Sequence, residues 1–107
     1  MELYFNNAVF EPGLNATVRR GNRWTNAKGK AFVVKETGNK EAIGAARVVS
    51  VLKIPFKDVT NFDVENEHDP KCRTIEGLFD ELNSVYKDFS VEDNVCIVYF
   101  YFDGVEE

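Results

Sequence analysis

The chain is short of the residues that staple or metallate small domains: its 107 residues include two cysteines, one histidine, one methionine and one tryptophan. Two thiols, Cys72 and Cys96, cannot build a disulfide framework. His68 and Cys72 stand four apart, but Pro70 between them breaks a regular helical turn and no second ligand pair lies nearby. A zinc site normally gathers four such groups, so no metal and no cofactor is expected. Long apolar runs are missing too. The longest, VCIVYFYF at 95 to 102, has about eight residues where a membrane-spanning helix needs roughly 20, so it reads as a buried strand. The amino terminus, MELYFNNAVF, lacks the basic segment, apolar stretch and cleavage site of a secretory leader, and a cytoplasmic location is expected. Repeats, low-complexity tracts and proline-rich linkers are absent, which favours one domain over residues 1–107.

Charge is unevenly spread. The net charge is -5, yet the stretch from 12 to 35 carries Arg19, Arg20, Arg23, Lys28, Lys30 and Lys35 with no acid, whereas from 58 onward acids outnumber bases 14 to 3. A short or small anionic partner suits such a molecule better than long duplex DNA, because the acidic half repels a polyanion that the basic stretch attracts.

The apolar pattern places the elements. AFVVKET (31 to 37) alternates and is followed by the turn pair Gly38-Asn39, so it should pair as a hairpin with EAIGAARVVSVLKIPF (41 to 56). Gly44 marks a bulge or bend in the second strand, and Pro55, without an N–H, ends its pairing. Thr60 and Asp63 resemble a capping box and predict a short helix over about 61 to 67. Thr74 precedes Ile75, Leu78, Phe79, Leu82, Val85 and Tyr86, a helical apolar stripe. NVCIVYFYF closes the chain as a strand apolar on both faces, as at the centre of a covered sheet, and Cys96 within it reads as core. The order is α+β: a small β-barrel or strongly curved mixed sheet with two to three flanking helices.

Two polar stretches could carry chemistry. In EPGLNATVRRGNRW, ATVRR is extended between glycine turns, so Thr17 and Arg19 face one way and Val18 and Arg20 the other. Arginine offers a donor fork for phosphate or carboxylate, and Trp24 either stacks on a base or packs in the core. In NEHDPKCRTIEGL (66 to 78), Asp69-Pro70 favours a turn, Thr74 caps the next helix and Arg73 can neutralise Glu67 or Asp69. If that loop faces the basic stretch, donors and acceptors would surround one cleft, with His68 titrating near neutrality.

These residues carry a family resemblance. GLNATVRRGNRW resembles the G-x-[KN]-x-T-x-R signature of ASCH domains, which share the PUA-like barrel. ENEHDPKCRTIEGLFDELNSVYKDF resembles the bacterial and phage-type branch, in which E-H-D-P-x-C-R-T-x-E-G-L leads a helix ending in V-Y-x-x-F. The resemblance implies binding of RNA, a nucleotide or a modified nucleoside. One branch hydrolyses the acetyl amide of N4-acetylcytidine with a lysine, a threonine and a glutamate. Thr17 and Arg19 match that branch, while Leu14 stands at the lysine position and Lys71 at the glutamate position, with Glu67 and Asp69 close by.

The expected site is therefore a barrel-mouth cleft with Asn15, Thr17, Arg19, Arg20, Arg23 and Trp24 on one wall and His68, Asp69 and Arg73 on the other. An enzyme would instead use Thr17 with a carboxylate from Glu67, Asp69 or Glu76, a reading that Leu14 disfavours. A third alternative is a non-catalytic protein-interaction domain whose acidic C-terminal half meets a protein partner. No membrane partner is expected.

Overall fold

The structure, a computed structural model, describes residues 1–104. Five strands form one mixed sheet: β1 (Glu2–Phe5), β2 (Leu14–Arg20), β3 (Ala31–Glu36), β4 (Ala42–Pro55) and β5 (Asn94–Gly104), in the order β1-β3-β4-β5-β2. β1 runs parallel to β3, and the other pairs are antiparallel. One α-helix, α1 (Ile75–Val85), and two single-turn 3-10 helices, Phe56–Asp58 and Pro70–Cys72, complete the described elements. None of the helices is long and apolar enough to cross a membrane.

β1 and β2 are the two edges of the sheet, and no backbone ladder joins them. In a flat sheet they would lie about 19 Å apart, four strand spacings. Instead Nη2 of Arg19 on β2 donates to the carbonyl oxygen of Tyr4 on β1 at 2.7 Å. The sheet is therefore curled until its edges come within reach of one side chain, a strongly curved sheet rather than a closed barrel.

Alternation sorts the residues into two cores. Leu3, Phe5, Phe32, Val34, Ala46, Val48, Cys96, Val98 and Phe100 pack inside the curl with Trp24. Ala16, Val18, Val95 and Ile97 face the other way, against Phe56, Val64, Leu78, Leu82 and Phe89. β5 contributes to both, which explains its apolar character on each face. In antiparallel pairing directly opposed residues share a face, so Thr17 opposite Val98 and Arg19 opposite Cys96 point into the curl.

The hairpin of β3 and β4 forms as its pattern predicts, with the register shifting at Val34/Lys35 opposite Gly44. A Cβ on Gly44 would stand 2.2 Å from the Asp103 carbonyl oxygen, so the close approach of β5 requires glycine there. Thr74 caps α1, its hydroxyl accepting from the Gly77 N–H at 3.2 Å. The helix expected over 61 to 67 does not form. Thr60 and Asp63 make the capping-box hydrogen bonds, Asp63 N–H to Thr60 Oγ1 at 3.3 Å and Thr60 N–H to Asp63 Oδ2 at 2.9 Å, but only turns follow. The competing interaction is an edge of β2: the Ala16 N–H donates to Asn66 O at 2.7 Å and the His68 N–H to Ala16 O at 2.9 Å. That pairing extends the chain at 66 to 68 and delivers the EHD segment to the sheet edge.

Candidate ligand-binding cleft

The gap between the edges of β1 and β2 is a cleft of about 240 Å³, walled also by the 67–72 segment and the C-terminal half of α1. N–H groups on the free edge of β2 need partners, because β5 satisfies only the other edge. Ala16 uses Asn66, the Glu67 carboxyl lies beside the Val18 N–H, and Arg20 reaches the Tyr86 hydroxyl at 3.4 Å. The cleft begins where backbone pairing gives way to side chains.

Arg19 dominates its charge. Nε donates to Thr17 Oγ1 at 3.2 Å and Nη2 to Tyr4 O, while the guanidinium lies 4.9 Å from the Phe5 ring centroid and 5.9 Å from that of Trp24. No carboxylate forms an ion pair with it among the described residues. Burial lowers its pKa, and the Arg23 charge adds to the effect. Every buried side-chain nitrogen and oxygen among the described residues has a partner, and Nη1 of Arg19 has none, so Nη1 is not fully buried and keeps hydrogen-bonding capacity on a residue that lines the cleft.

Opposite stand Glu67 and His68, both buried. Nδ1 of His68 lies 3.0 Å from Val9 O, and Nε2 lies 3.2 Å from Glu67 Oε1. A carbonyl oxygen can only accept, so Nδ1 carries a hydrogen and the second contact needs one more proton, on the carboxyl or on Nε2. Burial pushes the Glu67 carboxyl up to about 8, reinforced by the charge of Asp69 and opposed by the Asp69 N–H bond at 3.1 Å and by Arg19. Burial also lowers the His68 pKa. Both shifts favour the neutral pair, a carboxylic acid beside a neutral imidazole, over a salt bridge.

Thr17, Arg19, Glu67, His68 and Asp69 thus share one cleft, uniting the two polar stretches. The remaining expected residues lie outside it, for reasons of packing. Asn15 is fully buried and ties the 11–13 turn, accepting from the Glu11 N–H at 2.9 Å and donating to Glu11 O and Gly13 O. Arg20 points to the helix side and pairs with Asp88 at 2.8 Å. Trp24 belongs to the inner core, edge-on to Phe32 at 5.2 Å, and the exposed Arg23 covers its ring. Arg73 donates to the backbone oxygen of Glu67 at 2.8 Å and pairs with Glu11, so it braces the loop and does not neutralise the Glu67 carboxyl. Glu76 and Leu14 do not line the cleft.

Sequence reasoning missed Tyr4, Asn6, Asn7, Thr37 and Tyr86 as lining residues. The alternation of Leu3 and Phe5 signals a strand at 2 to 5, but nothing in the sequence announces that its free edge faces β2. Asp69, Cys72 and Glu81 bring one possible metal ligand atom each within 4.8 Å of one another. Lys71 already holds the Glu81 carboxylate at 2.8 Å, and burial pushes the Cys72 thiol up to about 12, aided by the charges of Glu67, Asp69 and Glu81.

No family model and no curated protein matches the chain. Solved structures do. An ASCH domain from Lactobacillus crispatus JV V101 superposes with a TM-score of 0.62 over 82% of this chain, at 12% identity. The chain has the fold of an ASCH domain. A second structure with this fold, a DUF984 protein from Enterococcus faecalis V583, gives a TM-score of 0.51 over 85% of the chain at 16% identity. The chain spans 63% of the length of each of these ASCH-like structures.

Proposed function

We propose that this ASCH-fold chain binds RNA, a nucleotide or a modified nucleoside, one nucleoside unit occupying the cleft between β1 and β2. The carrying observation is Arg19: a partly buried guanidinium on the cleft wall, without a carboxylate partner among the described residues and with Nη1 uncommitted. Desolvated cations are normally paired, so an unpaired one in a cleft suits an anionic or carbonyl-bearing ligand. The neutral Glu67 carboxyl and His68 opposite add hydrogen-bonding capacity without repelling that ligand. A volume of about 240 Å³ suits one unit of a nucleic acid, not a duplex.

A second reading is hydrolysis of an acylated nucleoside, favoured because Thr17 and Glu67 line the same cleft. Against it, no lysine lines the cleft among the described residues, Leu14 standing where the resembling branch has one.

Ligand-detected NMR against nucleosides, nucleotides, N4-acetylcytidine and short RNA tests both readings. Binding is expected to fall at least tenfold in Arg19→Ala and partly in Arg19→Lys, which keeps the charge and loses the fork. Turnover of N4-acetylcytidine abolished by Thr17→Ala selects the hydrolase. No binding by the folded protein, together with capture of a protein by its acidic half, would replace both with the interaction-domain reading.

A further inference from the structure

The loop joining β2 to β3, residues 21 to 30, lies outside the cleft lining. It is a chain of tight turns: Thr25 N–H donates to Asn22 O, Ala27 N–H to Trp24 O and Lys30 N–H to Ala27 O, at 3.0 to 3.2 Å. Trp24 and Ala27 anchor it in the inner core, and Gly29 and Lys30 pair with Val48 of β4. A loop so fixed presents its remaining side chains from a firm base. The charged ones are Arg23, Lys28 and Lys30, all exposed, none ion-paired among the described residues, with no acid in the sequence from 12 to 35.

The loop connects to the cleft through Trp24. Its indole lies 5.9 Å from the Arg19 guanidinium carbon and 5.2 Å from that of Arg23, so two like charges flank one ring, with no carboxylate paired to either among the described residues. Their charges repel one another. An anionic chain running past the ring would offset it.

We propose that the ligand is a single-stranded nucleic acid, one nucleoside in the cleft and its flanking phosphates on Arg23, Lys28 and Lys30. This rests on the nucleotide reading of the cleft and adds that the ligand is a polymer with a defined exit. The cations lie within one eight-residue span, matching a few phosphates, while the acidic remainder of the chain limits contact with a long duplex.

The test compares a 5′-labelled hexanucleotide, as RNA and as DNA, with a mixture of mononucleotides, on the full chain and on Arg23→Glu/Lys28→Glu/Lys30→Glu. Fluorescence anisotropy across salt concentrations reads the hexamer, and ligand NMR the mononucleotides. At least one hexamer should bind tenfold or more tightly than mononucleotides. The triple variant should lose that advantage and lower the salt slope by about 2, at roughly 0.7 per phosphate contact on a single strand, and Lys28→Ala/Lys30→Ala, which leaves the Arg23 charge beside Arg19 in place, should keep mononucleotide binding within twofold. If the triple variant melts early, Lys28→Ala/Lys30→Ala should show a proportionate loss. Equal affinity for hexamer and mononucleotide, an unchanged slope, or displacement of the hexamer by polyglutamate at equal charge would overturn the proposal and leave the cleft reading standing. Binding of neither ligand would overturn both.

Discussion

The Glu67 carboxyl and the His68 imidazole meet at 3.2 Å inside the protein, and the other imidazole nitrogen is committed to the Val9 carbonyl oxygen. Neighbours in sequence rarely face each other along a strand. Here the 66–68 segment reaches only a single bridge with β2, at Ala16, and both side chains turn into the cleft.

This pair sets a pH dependence. Glu67 binds its proton more tightly folded than unfolded, about 8 against an ordinary 4.5, so its contribution to stability is fully present below 4.5 and is lost as pH rises to about 8. His68, lowered by burial, acts oppositely: the unfolded chain takes its proton first as pH falls below 6.5, so folding weakens there. Between 6.5 and 8 Glu67 outweighs the remaining titration of His68, and stability should drop by about 1–2 kcal/mol. Urea unfolding at pH 6.5 and 8 measures this, and Glu67→Gln should flatten the difference; a wild-type profile without the drop refutes the neutral pair.

Gly77→Ala should destabilise the protein although alanine is the better helix former by about 1 kcal/mol. A Cβ at 77 would lie 1.8 Å from the Lys71 carbonyl oxygen, which is backbone and cannot rotate away. A net loss of about 1–3 kcal/mol is expected. A melting temperature at or above that of the wild type would show that the 70–72 turn yields.

Neither thiol should react with a disulfide reagent at pH 8 while the protein is folded. Cys72 and Cys96 are both buried, and the Cys72 thiol, pushed up to about 12, supplies almost no thiolate. Two equivalents should appear in denaturant. Prompt labelling of one thiol in the native state would mean that the wall of the cleft opens readily.

Leu82→Ala should cost about 2–5 kcal/mol, since Leu82 is almost wholly buried between α1 and the sheet. Thr74→Ala should cost about 1 kcal/mol through loss of the Gly77 cap. Their ratio in denaturant titrations tests whether α1 is held by packing more than by its own terminus.

Much of the fold was legible because period and punctuation agreed: Thr74 with its stripe, Gly38-Asn39 between two β-branched runs, and the apolar run at 95 to 102. The turn at 61 to 67 was misread because a local signal, the Thr60 and Asp63 pair, was satisfied without propagating. Its outcome depended on Ala16, about fifty positions earlier, which sequence inspection does not weigh. The same holds for the cleft. Thr17 and Arg19 followed from strand alternation, and Glu67, His68 and Asp69 from composition, but Asn15 and Trp24 illustrate how a polar or aromatic residue beside a site can be spent on turn and core.

The single hydrogen bond from Arg19 to Tyr4 also has a mechanical meaning. β1 is zipped to β3 along one side, whereas toward β2 a side chain spans the gap. A clasp of this kind can be released without tearing a strand from its sheet. A ligand that drew the guanidinium away would therefore loosen the N-terminal strand, and amide exchange along it, at Glu2 and Leu3 as well as at the lining residues Tyr4 and Phe5, would report on occupancy.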